Sequence, residues 1–127
     1  MFKKLRKNEK GFTLAELLIV VAIIGVLVAI SIPIFTSQLE KAREATDLAN
    51  IRAAYAEASV KALEGDNATE QTYTATTVKA QSTGTWVTDI SDITWGTLPT
   101  TVDNTKPFTV TITVEADGKS TTTVSQK

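Results

Sequence analysis

Acid–base or nucleophilic chemistry in this 127-residue chain would fall to carboxylates or a lysine, because the sequence holds neither histidine nor cysteine. Their absence removes the commonest general base, the thiol nucleophile, disulfides and the usual zinc ligands. No constellation of the remaining groups supports catalysis, so the expectation is no catalytic residue, no cofactor and no enzyme. Asp89, Asp92 and Asp103 are oxygen ligands of the kind calcium takes. Their spacing matches no calcium loop, and capping of loops is the plainer role, so no metal site is expected. Asn67-Ala68-Thr69 fits the glycosylation pattern. One carboxylate stands apart. Glu16 lies near the start of "KGFTLAELLIVVAIIGVLVAISIPIF", Lys10–Phe35, a segment otherwise built to leave water.

The elements around Glu16 explain how it can be placed there. Leu17 to Phe35 would cover roughly 28 Å as a helix, close to the hydrocarbon thickness of a bilayer. Twelve residues between Leu17 and Ile32 are Leu, Ile or Val. Together they favour insertion by roughly 4–7 kcal/mol, against about 2.5–3.5 for a charge at mid-membrane. Insertion wins. The net charge of −1 hides an asymmetry. Residues 1–11 carry five cations and one anion (5 − 1 = +4), and the remainder carries eight and thirteen (8 − 13 = −5). Flanking cations hold the N-terminus in the cytoplasm and send the C-terminal part outward. An acidic body argues against generic electrostatic binding to nucleic acid.

Two ordinary readings leave Glu16 unexplained. A secretory signal peptide would use "AIS", Ala29–Ser31, as its cleavage site, and a plain anchor would need no carboxylate at all. "KGFTLAE", Lys10–Glu16, resembles the class III signal of type IV prepilins and pseudopilins. That signal is a basic leader ending in glycine, then Phe-Thr-Leu-x-Glu and about twenty apolar residues. Pro33 falls where that family usually has a proline. The resemblance covers roughly residues 1–60. It implies cleavage after Gly11 by a prepilin peptidase on the cytoplasmic side, and N-methylation of Phe12, which keeps its amine cationic. Glu16 would then pair with the Phe12 ammonium of a neighbouring subunit in a homo-oligomeric helical filament. Two charges costly alone become tolerable as a pair that sets register. Lack of cysteine departs from many Gram-negative pilins and points towards a Gram-positive type.

The resemblance therefore implies a major-type pilin, membrane-bound as a precursor and extracellular once the pilus assembly machinery has polymerised it. The alternatives are a pseudopilin of a competence or type II secretion system and, in a different class, a membrane-anchored binding protein. A contact of the outer domain with host surface or nucleic acid is not legible.

The expected fold is α+β: leader 1–11, apolar helix 12–35, amphipathic helix 36–65 and antiparallel β domain 66–127. A continuous helix from Phe12 to Glu64 would be on the order of 80 Å long, so its first half has to project. Gly25 and Pro33 are its weak points, sites of a kink or of unwinding when subunits pack. Ser37-Gln38-Leu39-Glu40 reads as a capping box that restarts a helix. Beyond it one stripe runs Leu39, Ala42, Thr46, Ala49, Ala53, Ala56, Val60 and Leu63, and a second runs Leu48, Ile51, Tyr55, Ala58 and Ala62. Together they form a wide face expected to close the core. Arg43–Asp47 and Glu57–Lys61 are i,i+4 pairs on the wetter side, and Gly65 is the stop.

Strands are expected near Tyr73–Ala80 and Thr85–Ile90, and in a C-terminal hairpin. There Phe108, Val110, Ile112 and Val114 face the core. A two-residue turn at Asp117-Gly118 would set Val124 opposite Thr111 on the wet face. A three-residue turn, Ala116-Asp117-Gly118 with Gly118 left-handed, is expected instead, because it pairs Val124 with Val110 and Glu115 with Lys119. Trp86, Trp95 and Phe108 are expected between sheet and helix.

Overall fold

The computed structural model describes residues 11–66 and 68–127. The basic residues before Gly11, and Asn67 of the glycosylation pattern, lie outside the described residues. Among those described, the chain forms one helix, α1 (Leu14–Glu64), and five strands. The strands are β1 (Gln71–Lys79), β2 (Gly84–Thr85), β3 (Thr101–Val102), β4 (Pro107–Val114) and β5 (Ser120–Gln126). The α+β expectation of a long N-terminal helix and a small antiparallel sheet holds. Two compact units divide the chain, one ending at Gln38 and the other running Leu39–Lys127.

In the first unit the helix continues through Gly25 and Pro33, although proline supplies no backbone donor. Ser37 is also interior to the helix, so the expected restart there is not used. Ser31 and Thr36 turn their hydroxyls inward onto the carbonyls of Leu27 (2.7 Å) and Ile32 (3.2 Å), hiding polar groups from an apolar surrounding.

The second unit is built on the order β1-β4-β5, all antiparallel, with β2-β3 as a separate pair. The hairpin follows the expected register. Val110 pairs with Val124, and the Glu115 N–H donates to the Lys119 carbonyl at 2.8 Å. Gly118 sits at φ 87°, which a side chain rarely adopts. Strand alternation splits the sheet into two unlike faces. On the inner face Ala75, Phe108, Val110, Ile112 and Val124 are buried. On the outer face, register aligns Thr72–Thr113–Thr121, Thr74–Thr111–Thr123 and Thr76–Thr109–Ser125 in rows across β1, β4 and β5.

The helix meets the inner face through Ile51, Ala54, Ala58 and Ala62. Ile51, Ala58 and Ala62 belong to the second stripe, whereas Ala54 lies in neither expected stripe, so the core uses a narrower line than the wide face. Leu39, Val60 and Leu63 of the first stripe are exposed (40%, 52% and 86%). Hydrophobicity alone did not separate two stripes of similar composition; polar contacts further up the helix did. The buried line continues N-terminally into Asp47 and Glu44, which occupy two of the least exposed positions in the chain.

That placement corrects two further expectations. Asp47 is not paired with Arg43, which lies 3.6 Å from Glu40 instead. Nor is there a strand over 85–90, because only Gly84 and Thr85 pair, with β3. The Val87 and Thr88 N–H groups turn to the Glu44 carboxylate rather than to a neighbouring strand.

Other expectations stand. Glu57 and Lys61 pair at 3.1 Å. Phe108 is buried, and Trp86 and Trp95 pack against the core half-buried. Trp95 lies against Tyr55 with ring centroids 4.6 Å apart, and the Trp86 indole donates to the Pro99 carbonyl at 2.8 Å. Gly65 does follow the helix end, but the reason is space: a Cβ there would overlap the Tyr73 hydroxyl.

Candidate functional site

Thr13 closes the start of α1. Its hydroxyl accepts from the Glu16 N–H at 3.2 Å, and the Glu16 carboxylate accepts from the Thr13 N–H at 3.0 Å. This reciprocal pair is a capping box, and it satisfies two donors that a helix start leaves open. The sequence reading missed it, though the signal was present as Thr-x-x-Glu. Both bonds use the Glu16 backbone and one carboxylate oxygen, Oε2. Among the described residues Oε1 has no hydrogen-bond partner. The positive end of the helix also favours an anion there.

Phe12 is 83% exposed and Gly11 is open, since a Cβ built on it meets nothing within 4 Å. The fold therefore places no demand for glycine at position 11. From Gly11 to Gln38, Glu16 is the one ionisable side chain. The helix that follows contains a window long and apolar enough to cross a membrane, with none of it buried in the protein. Structure thus places the exposed Gly11-Phe12 bond and a half-used carboxylate within one turn of each other, at the mouth of an uncovered apolar helix.

Residues 6–32 match the family described as the prokaryotic N-terminal methylation motif. The segment is a type IV prepilin signal. Gly11, Phe12 and Glu16 all fall inside it. The chain is 48% identical over 58 residues to the type IV narrow pilus major component PilA5 of Thermus thermophilus, covering 43% of this chain and 50% of that protein. It is 46% identical over 48 residues to the type IV major pilin protein PilA of Myxococcus xanthus, covering 38% and 22%. It is 54% identical over 36 residues to the fimbrial protein EcpB of Eikenella corrodens, covering 28% and 23%. Over the matched stretches the chain is thus homologous to type IV pilins. The matches span half or less of each of these relatives' length. Nothing in them supports the Gram-positive type expected from the missing cysteines. No solved structure matches the chain.

A second polar site lies in the outer unit, and the sequence reading did not find it. Glu40, Glu44 and Asp47 project from one side of α1 and hold the backbone of residues 81–88. Asp47 accepts from the N–H groups of Gln81 (2.7 Å) and Ser82 (2.8 Å) and from the Ser82 hydroxyl (2.5 Å). Glu44 accepts from Val87 (2.6 Å) and Thr88 (2.7 Å), and Glu40 from Thr83 (3.0 Å). The available signal was spacing. Carried towards the N-terminus at steps of four and three, the Ile51–Ala58 line lands on carboxylates instead of apolar residues.

Burial pushes the Glu44 carboxyl up, but the Thr88 hydroxyl, the Val87 and Thr88 N–H groups and the Lys41 charge outweigh it and hold the pKa below the usual range. A carboxylate depressed in the folded state contributes stability above its unfolded pKa of about 4.3 and loses it as pH falls through the folded value. The outer unit should accordingly lose stability on acidification below about pH 5. Glu44→Gln should lower stability at pH 7 and flatten that acid limb, read by melting the full chain in micelles while following Trp86 and Trp95.

The aspartates considered for calcium serve as turn caps where bonds are resolved. Asp89 accepts from the Ser91 N–H (2.9 Å), and Asp103 from the Thr105 N–H (2.9 Å) and hydroxyl (2.6 Å). Backbone and hydroxyl donors hold both carboxyls below their ordinary values. Among the described residues no three acidic side chains gather in a metal-holding group.

Proposed function

We propose that this chain is the structural subunit of a type IV pilus, a filament protein and not an enzyme. In this reading prepilin peptidase cuts between Gly11 and Phe12, and Phe12 is N-methylated. The precursor rests in the membrane with its N-terminus in the cytoplasm, and the assembly machinery then polymerises it through the apolar helix. The observation that carries the reading is Glu16, a lone carboxylate at the exposed start of an uncharged apolar helix, inside the prepilin signal. Its second oxygen is available to the Phe12 ammonium of a neighbouring subunit. Gly25 and Pro33, helical here, are the positions at which α1 would unwind on packing.

Mass and N-terminal sequencing of the mature protein test the reading. The expected terminus is Phe12 bearing one methyl group. Gly11→Val should accumulate full-length precursor in the membrane. Because nothing crowds position 11, that block would report on close approach by the peptidase and not on folding. A mature terminus near Ile32 would instead mean ordinary secretory cleavage and would overturn the proposal.

A further inference from the structure

The outer face of the sheet carries an ordered, uncharged hydroxyl lattice. Its nine positions, three per strand, are eight threonines and one serine aligned in rows across β1, β4 and β5. The threonines on both edge strands are exposed, and those on β4 are half-buried between them. Among the described residues no hydrogen bond within the chain engages any of the nine hydroxyls. The helix lies on the opposite face, against Val110 and Ile112. β propensity alone accounts for threonine in strands. It does not require that three successive outward positions on each of three strands avoid charge, since Lys and Glu are common on solvated faces. Charge returns at the ends of this face, at Lys79 beside Pro107 and at Glu115 beside Lys119.

We propose that this face docks against the same face of a second copy of the chain. Self-complementarity is the first argument. A hydroxyl both donates and accepts, so a hydroxyl lattice is its own partner, as an isologous two-fold contact requires. Charge is the second. The Leu39–Lys127 unit carries twelve acidic and eight basic side chains, 12 − 8 = 4 excess negative charges, so two copies repel over most of their surface. The threonine face is where they approach without that cost. Within the nine-residue patch an anionic, cationic or strongly apolar partner finds no matching group.

Size sets the strength. Five residues along three strands make a patch of roughly 14 by 17 Å, about 240 Å². That is well short of the ~800 Å² per partner of a standard interface. A single contact is therefore weak, and it acts only when many copies are displayed together and engage at once. On the filament reading, the face would join filaments side by side. Only that consequence rests on the filament; the docking face does not.

Neutral phosphatidylcholine vesicles carrying the full-length chain test the proposal without any filament. Wild-type vesicles should cluster, read by light scattering, and added salt should leave the rate unchanged or raise it. Thr111→Lys and Thr111→Asp, at the centre of the middle row, should each cut the clustering rate by about tenfold or more through like-charge repulsion. Mixing the two variant populations should restore clustering, since the charges then oppose each other across the contact. Thr123→Lys on the edge strand gives the same reading if a Thr111 variant fails to fold, judged by tryptophan circular dichroism. Wild-type vesicles that stay dispersed, or variants that cluster like wild type, would overturn the proposal. So would retention on neutral polysaccharide beads without vesicle clustering. Clustering by a chain that forms no filaments in cells would count against the pilus reading alone.

Discussion

Val110→Asp leaves the outer unit without a folded state at neutral pH. Val110 is fully buried on β4, flanked by Ala75 on β1 and Val124 on β5 and covered by α1. The substitution removes an apolar side chain worth about 1.5–3 kcal/mol of burial. It also introduces a carboxylate with no cation in reach, at an effective cost of several kcal/mol. Domains of this size have roughly 5–15 kcal/mol in total. The sum of the two losses consumes most of it. The next residue along supplies the control. Thr111 points to the other face, so Thr111→Asp should fold and melt close to wild type. Near-ultraviolet circular dichroism of Trp86 and Trp95 reads both, because each indole is ordered only by the packed core. If Thr111→Asp unfolds and Val110→Asp does not, the assignment of faces on β4 is inverted.

That contrast marks how far the sequence was readable. Alternation in "PFTVTITV" has a period of two and turns its apolar set inward, so the face followed from it directly, while the hairpin register followed from placing Val124 on that inward face. Glu115 and Lys119 fixed the loop length by requiring Gly118 at the left-handed position. Helix faces were harder. Small residues populate both stripes of Leu39–Leu63, and alanine gives little energetic contrast between inside and outside. The choice was made by Glu40, Glu44 and Asp47, whose partners are backbone N–H groups of residues 81–88. Backbone donors leave no mark in a sequence. A carboxylate that binds them reads like any solvated one, and Asp47 was accordingly assigned to Arg43. The expected strand over 85–90 failed for the same reason, since its N–H groups are satisfied by a side chain. At the N-terminus the motif residues were legible from Lys10–Glu16, whereas the use of Thr13 as a cap emerged only with the backbone in place.

Glu16→Val yields cleaved subunits that collect in the membrane and build few or no filaments. Three roles for the carboxylate have to be separated. Insertion does not need it, because the twelve Leu, Ile and Val residues from Leu17 to Ile32 already favour the membrane by roughly 4–7 kcal/mol. Capping needs it only modestly: Glu16→Val loses the bond from the Thr13 N–H to the carboxylate, on the order of 1 kcal/mol, and keeps the bond from its own N–H to the Thr13 hydroxyl. Assembly is the role with a large term. On the proposed filament reading, a Phe12 ammonium packed among apolar helices without a counter-charge would be buried alone, at several kcal/mol per subunit, and that cost would recur at every subunit. Thr13→Ala distinguishes the second role from the third, since it removes the hydroxyl half of the cap and keeps the charge; it should assemble close to normally. Glu16→Gln should be intermediate, retaining an acceptor but not the charge. Cells expressing Glu16→Val beside wild type should incorporate some variant subunits, because their neighbours partly compensate. Blotting sheared filaments and membranes separately for each variant gives the answer. Thr13→Ala losing as much filament as Glu16→Val would make Glu16 a cap. Normal filament from Glu16→Val would leave the Phe12 amine to another partner.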